Sequence, residues 1–204
     1  MGKYGPRNMD IGMIFNNIFL IQKMKNLVIV IIFLQLIISC STMLNQAMYD
    51  KQSKTKMLVG LSNRGALQQD PFAVWFNKEY GVYAINKEAV QVINNDSENL
   101  SIKLFMGTWC GDSRREVPRI YRILDAADFD ESRLTLINVD REKKSPDGEE
   151  TGLNIHHVPT LILYKNSSEI GRVIESPIQS LEEDMAAIIN GEKYTPNHSD
   201  FGAN

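Results

Sequence analysis

The run Leu100–Met106 reads as a buried strand that stops at Gly107. From Ser113 to Ala127 the apolar residues Val117, Ile120, Ile123 and Leu124 recur on one helical face. A second strand pattern, Leu134–Val139, follows, so this stretch predicts a βαβ unit. Arg141–Gly152 is charged and contains Pro-Asp-Gly, which marks a loop. Beyond it, Thr160–Tyr164 and Glu169–Glu175 predict a hairpin across Asn166-Ser167-Ser168. A helix from about Pro177 to Asn190 ends near Gly191. The order is β-α-β, loop, β-β-α, an α/β chain without internal repeats.

Upstream, Asp70–Asn95 carries Phe72, Trp75, Phe76 and Tyr80 at near-helical spacing behind Asp70-Pro71, a helix start. These aromatics are expected in the core. The 204 residues and 43% hydrophobic composition suffice for one medium domain plus an extra segment. A net charge of -3 with interspersed signs argues against nucleic acid as a partner.

The extra segment is N-terminal. Leu27–Ile38 is apolar apart from Gln35, preceded by Lys23 and Lys25 and followed by Ser39-Cys40-Ser41. Twelve residues are fewer than the roughly 20 that a spanning helix requires, so an export signal is expected. Ile37-Ile38-Ser39-Cys40 resembles the bacterial lipobox, which implies lipidation at Cys40, a lipid-anchored mature chain and a cell-envelope location facing the periplasm or exterior. Met24 is the more natural start, because a second apolar patch lies upstream. The expected boundaries are 1–39 signal, 40–56 polar tether, 57–193 folded domain and 194–204 flexible tail.

Gly107-Thr108-Trp109-Cys110-Gly111-Asp112-Ser113-Arg114-Arg115-Glu116-Val117-Pro118 joins the first strand to its helix and places Cys110 at the helix N-terminus. Unpaired N–H groups and the macrodipole there favour an anionic sulfur, Asp112 opposes it, and Arg114 and Arg115 can offset Asp112. This segment resembles the thioredoxin family, more closely its exported, membrane-tethered branch with the pattern W-C-x-x-C-R-x-E-x-P. His157-Val158-Pro159-Thr160 resembles that family's cis-proline loop. The resemblance covers Leu100 to Asn190 and implies a thioredoxin-like fold: a central mixed β-sheet flanked by helices, here with an N-terminal helical extension. It also implies Cys110 as nucleophile and Trp109, Val158 and Pro159 as substrate-binding residues.

Two departures bear on chemistry. Ser113 stands where the second cysteine would be, so a mixed disulfide at Cys110 cannot be resolved within the motif. Leu104 stands where family members often keep a buried carboxylate. The expected function is monothiol exchange: Cys110 attacks a client disulfide or small-thiol adduct, Ser113 donates a hydrogen bond to the sulfur, and an external thiol donor completes the cycle. The competing reading is a non-catalytic module that holds an extended peptide beside Trp109 and Val158-Pro159. A metal site from His156, His157 and Cys110 is the weakest option, because adjacent residues of an extended strand point apart, so neither metal nor cofactor is expected. The Arg141–Gly152 loop is expected to border the groove and tune partner choice.

Overall fold

The computed structural model describes residues 22–25 and 43–199, and the chain divides into two compact units, Met1–Thr42 and Met43–Asn204. In the first unit, residues 22–25 are helical. The apolar run 27–38, Ser39 and Cys40 lie outside the described residues. Among the described residues, no helix is long and apolar enough to cross a membrane.

The second unit begins with an antiparallel hairpin, β1 (Ala47–Asp50) and β2 (Thr55–Leu58). The sequence reading expected an irregular tether here. The Asp50 carboxylate accepts the Gln52 and Ser53 amides (3.1 and 3.2 Å) and closes the turn, while Lys54 takes a positive φ of 54°. Most of the hairpin is solvent-exposed, so its residues carry no apolar alternation to betray strands.

Strand β3 (Gly60–Ser62) leads to a short helix, α1 (Arg64–Leu67), capped by the Asn63 side chain. Two helices follow: α2 (Ala73–Val82) and α3 (Lys87–Asp96), the latter started by Asn86, whose side chain accepts the Glu88 and Ala89 amides. The expected helical extension is therefore present, preceded by strands. Phe72 and Phe76 are buried in the core as expected, with Trp75 and Tyr80 packed at its margin.

The remaining elements are β4 (Leu100–Met106), α4 (Gly111–Ala126), β5 (Leu134–Asn138), β6 (Thr160–Lys165), β7 (Ser168–Ile174) and α5 (Leu181–Ile189). The sheet order is β3-β5-β4-β6-β7, with β4 and β5 parallel and the other neighbours antiparallel. This is a central mixed sheet flanked by helices, a thioredoxin-like fold. Strand β4 is buried along one face and, on the other, only at Phe105, since Ser101 is exposed and Lys103 half-buried. Ile102, Leu104 and Met106 join the cluster containing the α4 residues Val117, Ile120 and Leu124, and Phe105 joins Ile137, Val158 and Ile162 in a second cluster. The burial matches the sequence, which alternates through Ser101 and Lys103 and becomes continuously apolar from Leu104 to Met106.

The β6–β7 turn places Asn166 and Ser167 at φ 51° and 64°, the left-handed pair of a type I′ hairpin. Helix α5 starts later than Pro177. Its Asp184 carboxylate turns back to accept the Ile178 and Gln179 amides (2.6 and 3.2 Å), and Ser180 caps the helix on the Glu183 amide. The segment from Tyr194, expected to be a flexible tail, is tied to the domain over its described part. Tyr194 Oη donates to Asp184 (2.9 Å) and Asn197 Nδ2 donates to the Ser176 carbonyl (2.9 Å).

Candidate functional site

Cys110 is the N-cap residue of α4, with extended backbone angles (φ −84°, ψ 132°). Its amide donates to the Gly107 carbonyl at 2.9 Å and its carbonyl accepts the Arg114 amide at 3.1 Å. The turn is held from both sides, since Arg114 Nε donates to the Thr108 carbonyl (2.6 Å) and the Leu58 amide donates to the Thr108 hydroxyl (3.1 Å). The β1–β2 hairpin therefore braces the motif, a connection the sequence alone did not suggest.

The expected cis-proline is present: the Val158–Pro159 peptide is cis. Cys110 Sγ donates to the Val158 carbonyl at 3.2 Å, so the loop and the sulfur meet as the resemblance implies. The loop is anchored by Thr160 Oγ1 donating to the His157 carbonyl (2.7 Å) and by the Glu175 amide donating to the Pro159 carbonyl (2.7 Å). Val158 and Pro159 are themselves buried, so what this loop presents to a partner is backbone rather than side chain.

Ser113 has another arrangement than expected. Its hydroxyl is fully buried and accepts the Gly107 amide at 3.2 Å, which places it on the strand-to-helix turn and not on the sulfur. Leu104, at the position of the family's carboxylate, is fully buried in the apolar core. A buried carboxylate on α4 itself is Glu116, paired with Arg115 (2.5 Å) and Arg119 (3.6 Å).

Trp109 is half-buried and its Nε1 donates to the Val139 carbonyl at 2.9 Å. The indole lies across Gly107: a Cβ there would come within 2.5 Å of the ring, so this position requires glycine. Above the indole sit the Arg141 guanidinium, 5.1 Å from the ring centre, and the Lys143 ammonium at 5.9 Å. Arg141 forms a paired contact with Asp50 (2.7 and 3.0 Å). That hydrogen-bonded carboxylate raises the Arg141 pKa. The start of the Arg141–Gly152 loop therefore borders the site as expected, and the sequence reading missed that its cations stack on Trp109. No local signal pointed to Asp50, which is 91 residues from its partner.

The Asp50–Arg141 contact gives a pH prediction. The guanidinium and the Ser53 hydroxyl hold the Asp50 carboxyl far below the usual carboxylate range. Its folded pKa is depressed, so its stabilisation is present above the ordinary carboxylate pKa near 4 and is lost as pH falls below it. Unfolding midpoints in urea are expected to drop between pH 7 and pH 3, and to drop less in Arg141→Ala.

His157 lies beside Glu175 and His198 and not in a cluster with His156 and Cys110. Among the described residues, His157, Glu175 and His198 form the one group of three or more potential metal ligands.

The structure thus places a cysteine at a helix N-terminus against a cis-proline loop. The family model for thioredoxin matches residues 82–187, just over half of the chain, and the chain belongs to the thioredoxin family. Its general function is thiol–disulfide redox chemistry, in which disulfide-bearing substrates react with thiol reductants. Among solved structures, the chain is similar to thioredoxin O2 from Arabidopsis thaliana, with 23% identity over 43% of this chain and 71% of that one and a TM-score of 0.29. Fasciola hepatica thioredoxin is 18% identical over 50% of this chain and 89% of its own, with a TM-score of 0.33. No curated protein matches the chain.

Proposed function

We propose that this protein is an exported, lipid-anchored member of the thioredoxin family that exchanges disulfides through the single site cysteine Cys110. The observation that carries the reading is the placement of Cys110, capping α4 with its sulfur 3.2 Å from the Val158 carbonyl, while residue 113 is serine. In the proposed cycle the Cys110 sulfur, as thiolate, attacks one sulfur of a client disulfide. A Cys110–client bond forms, the client disulfide breaks, and the departing client sulfur takes up a proton. With Ser113 next in the motif, a second thiol must come from outside: a donor thiol, or another cysteine of the client. Attack by a donor thiolate on the Cys110 sulfur releases the client sulfur as a thiol and leaves Cys110 joined to the donor, and a second donor thiol then displaces Cys110 and leaves as the donor disulfide. Attack by another client cysteine yields a rearranged client disulfide and frees Cys110. The chemistry therefore suits isomerisation and removal of thiol adducts more than net oxidation of dithiols.

The surroundings divide the labour. Trp109, with Arg141 and Lys143 stacked above it, forms the half-buried cationic wall of the site, and the cis-proline loop supplies the backbone edge. Ser113 acts as a positioning residue that satisfies the Gly107 amide.

The test is to mix reduced protein with an oxidised model protein and follow adducts by mass spectrometry. A mixed disulfide on Cys110 is expected to persist until a small thiol is added. In Ser113→Cys the adduct is expected to decay without donor, through attack by the introduced thiol. Absence of any adduct on Cys110 overturns the reading.

Lipid anchoring rests on the sequence of Leu27–Cys40, with its lysine-flanked apolar run and the Ser39-Cys40 junction. Metabolic labelling with a fatty acid is expected to mark the parent and to leave Cys40→Ala unlabelled and outside the membrane fraction. A parent that takes up no label rules the anchor out.

A further inference from the structure

Outside the exchange motif, three segments distant in sequence converge on one point beside the cis-proline loop. His157 comes from the loop itself. Glu175 follows β7 and takes a φ of 64°, a left-handed conformation that a non-glycine residue adopts at a cost. His198 comes from the C-terminal segment that Asn197 pins to the Ser176 carbonyl at 2.9 Å. Potential ligand atoms of the three all lie within 4.8 Å of one another. His198 Nε2 is 2.6 Å from one Glu175 oxygen, and His157 Nδ1 is 3.9 Å from the other. Ligand atoms about 2.0–2.2 Å from a tetrahedral zinc ion stand roughly 3.3 Å apart, and these two separations bracket that value.

The chemistry of the group suits a divalent cation. Two imidazoles and one carboxylate are a borderline donor set of the kind zinc accepts. The two imidazole rings stack with centroids 4.1 Å apart. Lys143 bears on His157 with the same sign as a metal ion, so the Glu175 carboxylate is what balances an incoming cation. The side chains remain 26, 31 and 37% exposed for His157, Glu175 and His198, which leaves an entry path.

We propose that His157, Glu175 and His198 bind one zinc ion, with a fourth position open to water. The ion joins the cis-proline loop, the end of β7 and the C-terminal segment into one unit. Because Glu175 already bonds the Pro159 carbonyl through its amide, and Cys110 bonds the adjoining Val158 carbonyl, the site clamps the surface on which exchange takes place. Zinc in this place is a structural brace for the loop and takes no part in the transfer of sulfur.

The test is calorimetric titration of zinc into the full chain carrying Cys40→Ser and Cys110→Ser, which removes both thiols as competing ligands. One zinc per chain is expected, with affinity falling at least tenfold in His157→Ala, in His198→Ala and in the near-isosteric Glu175→Gln. His156→Ala, the remaining histidine, is expected to bind as the parent does. Zinc is also expected to raise the unfolding temperature of the parent and not of the three ligand variants. Absence of stoichiometric binding overturns the proposal, as does equal weakening by His156→Ala and His157→Ala, or full affinity retained in Glu175→Gln and His198→Ala.

Discussion

Cys110→Ser is expected to reduce disulfide exchange on a model client to the uncatalysed background, a fall on the order of a hundredfold or more, because a serine hydroxyl at neutral pH is a far weaker nucleophile than a thiolate. The fold is expected to survive. The sulfur is only partly buried and, among the described residues, makes one side-chain hydrogen bond, to the Val158 carbonyl, which a serine hydroxyl can still reach. Exchange rate and unfolding midpoint measured on the same preparation separate loss of chemistry from loss of structure. Exchange that persists in the variant places the reacting group elsewhere. A parent that binds extended peptides, shows no exchange, and binds equally well as Cys110→Ser points to the peptide-binding module instead.

Phe76→Ala is expected to cost about 3–5 kcal/mol, the range for removing a fully buried aromatic ring. Phe76 is 1% exposed, stacks on Tyr80 with ring centres 6.2 Å apart and meets Tyr121 of α4 at 5.7 Å. Against a total stability of about 5–15 kcal/mol this is a large fraction, and in a chain of this size it lowers the melting temperature by about 6–20 °C. The effect tests whether α2, most of which precedes the family match at residue 82, is a structural part of the domain. Calorimetry gives the answer. A change of under 1 kcal/mol would mean that the ring is not buried in solution as it is here. Exchange per folded molecule is expected to stay unchanged, since Phe76 meets α4 at Tyr121, 11 residues along the chain from Cys110.

Sequence by itself determined most of the central architecture. Strand β4 announced itself because one face is buried throughout and its Leu104–Met106 end on both, and α4 because one face repeats at helical period against that strand. The β6–β7 turn and the end of α5 near Gly191 were legible because left-handed positions favour a few residue types, asparagine and glycine among them. Cys110 and the cis-proline were likewise visible, being short motifs at element boundaries.

Tertiary structure decided the rest, for a common reason: the deciding partners are far apart in the chain. The hairpin at residues 47–58 is exposed and has no period, and it is fixed in part by Asp50 reaching Arg141 and by the Leu58 amide reaching Thr108. Ser113 was expected to donate a hydrogen bond to the sulfur, yet in the folded chain its buried hydroxyl accepts the Gly107 amide. His198 lies in a polar end with no pattern of its own, and only the folded chain brings it to Glu175 and His157. Local periodicity follows from the chain's own geometry, whereas a contact across 40 or 90 residues depends on how the whole sheet closes.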